Sequence, residues 1–152
     1  MNSMQIVKAN EQDKKCAIEI AEKLTDWFSD EGIDNIKKDF AFNSVIVAKE
    51  SDRVIGFLCY TTYCGKMLLL WMGVDPQNFR KSVGTELLQW LIEEAKHLNL
   101  FAIEVETLPD EDPYEPYKQT RAFYYKHGFK RTLYKKASQV GWDDQIVLEK
   151  TI

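Results

Sequence analysis

The stretch "KMLLLWMGV" at 66–74 is apolar throughout, and it limits the fold more than any other segment. A strand of that kind is expected in the interior of a sheet, buried on both faces. Gly73 near its end marks a bulge or a close backbone approach. After a short loop, Val83, Leu87, Leu88, Leu91, Ile92 and Ala95 repeat at helical spacing, with Lys96 and His97 in the last turn. "LFAIEVETL" (100–108) then reads as another strand. A strand–helix–strand unit of this length is a right-handed parallel crossover.

The flanks read differently. "MQIVKA" (4–9) alternates as a strand, and residues 11–28 place Ile18, Ala21, Leu24 and Phe28 on one helical face. A second short helix at 30–40 carries Ile33, Ile36 and Phe40. "SVIVAKESDRVIGFLCYTTY" (44–63) is a hairpin around "ESDR". Beyond an acidic, Pro-rich loop (109–116), a short helix runs to His127, where Gly128 supplies a C′ stop. "FKRTLYKK" and "QIVLEK" close the chain as two strands. The order β-α-α-β-β-β-α-β-α-β-β predicts an α/β fold: a mixed, mostly antiparallel sheet with one parallel crossover and helices on both faces. No repeat or linker divides residues 1–152, so one domain is expected.

Composition narrows the function. A net charge of −4 argues against a broad nucleic-acid surface, which needs clustered Lys and Arg. The start has no apolar h-region, and no apolar run is long enough to span a bilayer, so neither a signal peptide nor a membrane partner is expected. Cys16, Cys59 and Cys64 lack CxxC spacing and read as free thiols in a reducing, cytoplasmic compartment. His97 and His127 have no acidic or cysteine partner at ligand spacing, so no metal is expected.

The loop "DPQNFRKSVG" joins a strand end to a helix start, where open α/β sheets bind ligands. Arg80 and Lys81 sit where the helix dipole disfavours cations, which makes sense if an anion joins them. Taken alone, they read more readily as two solvated basic residues beside a helix start. The loop is neither GxGxxG nor a P-loop.

Two motifs give the loop a context. Val74-Asp75-Pro76 precedes it, and Phe123-Tyr124-Tyr125-Lys126-His127-Gly128-Phe129 follows the next strand. Together they resemble the GNAT N-acetyltransferase superfamily, in which a strand ending V-x-P leads into R/Q-x-x-G-x-G/A and a later helix carries (L/F)-Y-x-x-x-G-F. The second motif is complete and the element order agrees along essentially the whole chain. The first motif departs: Phe79 stands at the Arg/Gln position, Ser82 at the first glycine and Gly84 at the last. Tyr117 replaces an Asn common seven residues before the tyrosine, and Thr120 replaces the usual Ala.

The resemblance implies a GNAT-like fold and transfer of an acetyl group from acetyl-CoA to a primary amine of a small molecule or peptide. Backbone groups of Met72 and Val74, around Gly73, would pair with the pantetheine arm. Phe79, Arg80, Lys81, Ser82, Val83, Gly84 and Thr85 would hold the pyrophosphate, with Tyr117 nearby. Tyr124 would contact the cofactor and give its phenol proton to the thiolate. Glu106, ranked narrowly above Glu104, would act as base on the amine. Trp27, Phe28 and Tyr117 would wall the acceptor site. Asp30, Glu31, Asp110, Glu111 and Asp112 would give that site acidic edges favouring cationic amines. Sheet edges at the C-terminal hairpin would let two copies pair as a homodimer. Two alternatives stand beside this: a CoA-binding sensor with little turnover, and a toxin-like acetylator of charged tRNA, against which the pI of 5.3 weighs.

Overall fold

The computed structural model describes residues 3–152. Its elements follow the expected order: β1 (Met4–Lys8), α1 (Glu11–Lys23), α2 (Asp30–Phe42), β2 (Ser44–Glu50), β3 (Arg53–Tyr63), β4 (Lys66–Val74), α3 (Val83–His97), β5 (Ala102–Thr107), α4 (Glu115–Lys126), β6 (Lys130–Lys135) and β7 (Gln145–Thr151). A single 3₁₀ turn, Pro76–Asn78, follows β4. The strands form one seven-stranded sheet ordered β1-β2-β3-β4-β5-β7-β6. Among the described residues only β4 and β5 are parallel. Every other neighbouring pair is antiparallel.

Helices cover both faces, and alternation along the strands explains how. In β2, Val45 and Val47 join Phe57 and the apolar stripes of α1 and α2. Ile46 and Ala48 point the other way, into a core built on α3, Ile103, Val105 and Tyr124. The stripe predicted for α3 is the buried face observed. Leu87, Leu88 and Leu91 are fully buried, each contributing about 1.5–3 kcal/mol against exposure. Gly128 has φ +91° and ends α4 as expected.

Two expectations need correction. Helix α1 ends at Lys23, not at residue 28, and its buried stripe is Ala17, Ile20 and Ala21, with Ile18 half-exposed. Past Leu24 the chain turns: Leu24 N–H donates to Ala21 O, and the N–H groups of Trp27 and Phe28 donate to Leu24 O. The carbonyls of Asp26 and Trp27 accept from the hydroxyls of Tyr114 and Tyr117 at 2.7 and 2.8 Å, which ties this turn to the start of α4. Nor is β4 buried on both faces: Leu68, Leu70, Trp71 and Met72 are half-buried. The register with β3 slips between Trp71 and Leu69, so Leu70 is an extra residue, a bulge. Since side chains alternate along a strand, one inserted residue exchanges the faces of all that follow. Met72 and Val74 thereby join Met67 and Leu69 on the α3 face, and Gly73 turns toward α1.

Candidate active site

The bulge also ends the parallel pairing. β4 meets β5 only from Lys66 to Leu69, opposite Ala102 to Val105. Beyond those residues the two strands separate and leave a slot through the sheet. The N–H of Asp75 donates to Ile55 at 2.9 Å, so Asp75 and, two residues back, Gly73 face β3. Met72 and Val74 therefore turn their main-chain groups to the slot.

Above the slot, the loop entering α3 offers unpaired donors. Asn78 accepts from Lys81 at 3.3 Å, which removes one predicted amide. The amides of Arg80, Ser82, Val83, Gly84 and Thr85 have no acceptor among the described residues. Arg80 and Ser82 both take left-handed conformations, at φ +70° and +62°. Such strain persists where surrounding structure imposes it, and successive amides in this arrangement form an anion-binding concavity. Ser82 caps α3 by position but makes no side-chain capping bond. The conformation also accounts for a family glycine at this position. Ser82→Gly is expected to relieve the left-handed strain while leaving acetyl-CoA affinity, measured by titration calorimetry, within about 0.5 kcal/mol. A larger loss would mean that the serine side chain, not the backbone, makes the contact.

Tyr124 is 4% exposed, between Phe123 and Phe129. Burial, and then the neighbouring Tyr117, push its phenol well above the ordinary tyrosine value. Its hydroxyl has no partner among the described residues, yet is not one of the fully enclosed unpartnered atoms. The group is thus a protonated donor with an open end. Tyr125, its neighbour, donates instead to Asp110 at 2.9 Å.

Glu104 and Glu106 share the face of β5 opposite Val105, and so lie across the sheet from Tyr124. Both are ion-paired. Glu106 is 2.5 Å from Lys135. Glu104 is 3.4 Å from Lys66, which also holds Glu149 at 2.7 Å.

The predicted acceptor residues divide. Trp27 and Tyr117 meet: the indole N–H donates to Pro116 O at 3.2 Å and Thr120 Oγ1 at 3.1 Å, and the Trp27 ring meets Phe79 edge-on at 6.1 Å. Phe28 packs on Trp71 instead, on the α1–α2 face. Part of the acidic edge is ion-paired. Arg131 takes Asp110 at 3.0 Å and Glu111 at 2.6 Å, and Asp112 accepts from the amide of Tyr114. Buried Arg121 holds the same loop through Leu108 O and Asp112 O. Asp110 and Glu111 are thus ion-paired and Asp112 is hydrogen-bonded, while Asp30 and Glu31 lie in the first turn of α2.

Three residues make contacts or leave groups unpaired in ways the sequence did not suggest. Thr107, at the end of β5 past its last β4 partner, buries an unpartnered hydroxyl, and Asn78 buries an unpartnered carbonyl oxygen. His127 Nδ1 lies 2.8 Å from Phe123 O, so it carries the proton there, and Nε2 meets the Thr85 hydroxyl at 3.3 Å beside the α3 N-terminus. No spacing in the sequence signals these contacts. Two open cavities of about 320 and 340 Å³ lie around Arg53, on the outer side of the loop rather than at the slot.

The slot, the free amides and the phenol offer what a long, phosphate-bearing thioester requires: anion donors, an unpaired strand edge and a proton donor. No group of three or more potential metal ligands occurs among the described residues. No helix there is long and apolar enough to cross a membrane.

Comparisons with known proteins bear on the fold and the family. No curated protein matches the chain. Solved structures do. One from Desulfovibrio desulfuricans, described as an acetyltransferase of the GNAT family, superposes with a TM-score of 0.84 at 21% identity, covering 98% of this chain and 99% of the other. The PaiA N-acetyltransferase from Thermoplasma acidophilum, in complex with coenzyme A, gives 0.74 at 21% identity, with 99% of each chain covered. A ribosomal-protein-alanine N-acetyltransferase from Brucella melitensis gives 0.72 at 18%, covering 97% and 99%. At these identities the likeness shows the fold. The model of the acetyltransferase (GNAT) domain matches residues 41–131, more than half of the sequence, and the chain therefore belongs to the GNAT acetyltransferase family.

Proposed function

We propose that this acetyltransferase moves the acetyl group of acetyl-CoA to a primary amine of a small molecule or peptide by direct attack. The observation that carries this is the slot itself. Beside it stand the groups such a reaction needs: free amides at Arg80 and Ser82–Thr85, the open edge of Met72 and Val74, and on α4 a Tyr124 hydroxyl without a partner among the described residues. When bound, acetyl-CoA supplies the thioester carbonyl that the amine attacks. The amides and Arg80 hold the phosphates, and Met72 and Val74 orient the arm as an added strand would. Tyr124 gives its proton to the departing sulfur. Glu106 or Glu104, on the opposite face of the sheet, takes the amine proton directly or through water. Amine and leaving group then occupy opposite ends of the slot. PaiA and the Brucella enzyme are both named N-acetyltransferases, which supports an amine acceptor.

The proposal extends to the rest of the molecule. One domain spanning 1–152 acts in the cytoplasm with its three free cysteines reduced. A second copy pairs along β6, an edge strand exposed at every residue, with Leu133 and Tyr134 outward. The ion pairing of both carboxylates favours one other reading, a CoA-binding protein without turnover.

The test is calorimetric titration with acetyl-CoA beside a thiol-release assay over polyamines, amino acids, aminoglycosides and peptides. Binding with release against one amine class supports the transferase. Binding without release on any supports the sensor, and no binding at millimolar acetyl-CoA sinks both.

A further inference from the structure

Three departures from the family's motifs converge on one residue, Trp27. Phe79 packs edge-on against Trp27, Thr120 accepts from its indole N–H, and Tyr117 donates to its carbonyl. Phe79 leaves β4, whereas Tyr117 and Thr120 lie on α4, which follows β5. Trp27 comes from neither, but from the turn between α1 and α2. It therefore joins the two walls of the slot at the end opposite the Leu69–Val105 pairing. With the β4 edge on one side and α4 on the other, these contacts close a ring. An open notch admits a long ligand sideways, whereas a ring admits it end-on or when a contact opens.

We propose that Trp27 is a positioning residue that closes this ring around the acyl-donor arm, so that release of CoA requires the Trp27 contacts to break. The inference rests on the acetyl-CoA reading above. Two features separate closure from general support. The Asp26 and Trp27 carbonyls are held by Tyr114 and Tyr117 whatever the side chain at 27, so loss of the indole leaves the segment tethered. The indole contacts also act on Thr120, one turn before Tyr124 on α4, and so bear on where that hydroxyl sits.

The experiment measures CoA association and dissociation rates by stopped flow for the intact protein and for Trp27→Ala, Trp27→Phe and Tyr117→Phe, with melting curves on each. Trp27→Ala is expected to release CoA about tenfold faster or more, since interface changes act mainly on dissociation. Trp27→Phe keeps a ring against Phe79 without the N–H donor and is expected to recover part of that loss. Tyr117→Phe, which removes a single hydroxyl, is expected to fall between wild type and Trp27→Ala, and it carries the test should Trp27→Ala fail to fold. Dissociation within about twofold of wild type in folded variants overturns the ring alone. Absence of CoA binding by the intact protein overturns the function and the ring together.

Discussion

Tyr124→Phe is expected to lower kcat by ~10²–10⁴-fold while leaving acetyl-CoA affinity and folding nearly unchanged. The phenol is buried with its ring in the α3–α4 core, and Phe keeps that packing. What is removed is one hydroxyl with no partner among the described residues. The pH profile sharpens the test. Burial first, and Tyr117 second, raise the phenol's pKa, so the donating form persists above the ordinary tyrosine value of ~10. Loss of activity through ionisation of Tyr124 should therefore begin above pH ~10, and Tyr124→Phe should lack that limb. The linkage has a definite sign. In the unfolded chain the phenol titrates near ~10 and in the folded protein higher, so stability from this group is complete below the first value and is lost as pH rises through the second. Rates are best read at pH values where melting curves show the fold intact. Unchanged turnover in Tyr124→Phe would remove Tyr124 from the chemistry, and a parallel loss of CoA affinity would assign it to binding.

What was legible in the sequence was whatever one element records about itself. The stripe Val83–Ala95 named the buried face of α3, and the β-branched runs named β2 and β3, because burial on one side imprints a period. The free amides before α3 were legible as well, since a helix start lacks acceptors by construction. The bulge at Leu70 was not, because an extra leucine in an apolar run changes no pattern. The turn after α1 is held by hydroxyls far along the chain, and Asp110 and Glu111 of the acidic loop pair with Arg131 on β6, so local composition signalled neither. Phe79, Tyr117 and Thr120 read as three separate departures from a motif. Only their meeting at Trp27 gives them a common cause, and that meeting is purely tertiary.

The two glycines that flank the slot should separate folding from binding in opposite directions. A Cβ at Gly73 would lie 2.7 Å from the Phe57 ring and 2.8 Å from Leu24. The close approach expected at Gly73 is thus made by the protein's own core, after the bulge turns the residue toward α1. Gly73→Ala is expected to destabilise the fold by about 1–3 kcal/mol, as overpacking does, and to show it as a lowered Tm. A Cβ at Gly84 meets the Phe123 ring only at 3.5 Å and Val74 at 4.0 Å, ordinary contacts without positive φ. Nothing in the fold requires that glycine, and alanine in a helix is favoured by up to about 1 kcal/mol. Yet the space it leaves lies between Val74 on the open β4 edge and Phe123 on α4, at the mouth of the slot. Gly84→Ala is therefore expected to raise Tm slightly and, since the family motif admits alanine at this position, to leave acetyl-CoA affinity within about twofold. Gly84→Leu, which fills that space, is instead expected to weaken acetyl-CoA about tenfold or more, a cost of at least about 1.4 kcal/mol. Calorimetry and melting on these variants decide it. A folded Gly84→Leu protein that binds acetyl-CoA as tightly as wild type would move the cofactor's path away from this crevice, and with it the roles assigned to Met72, Val74 and the free amides.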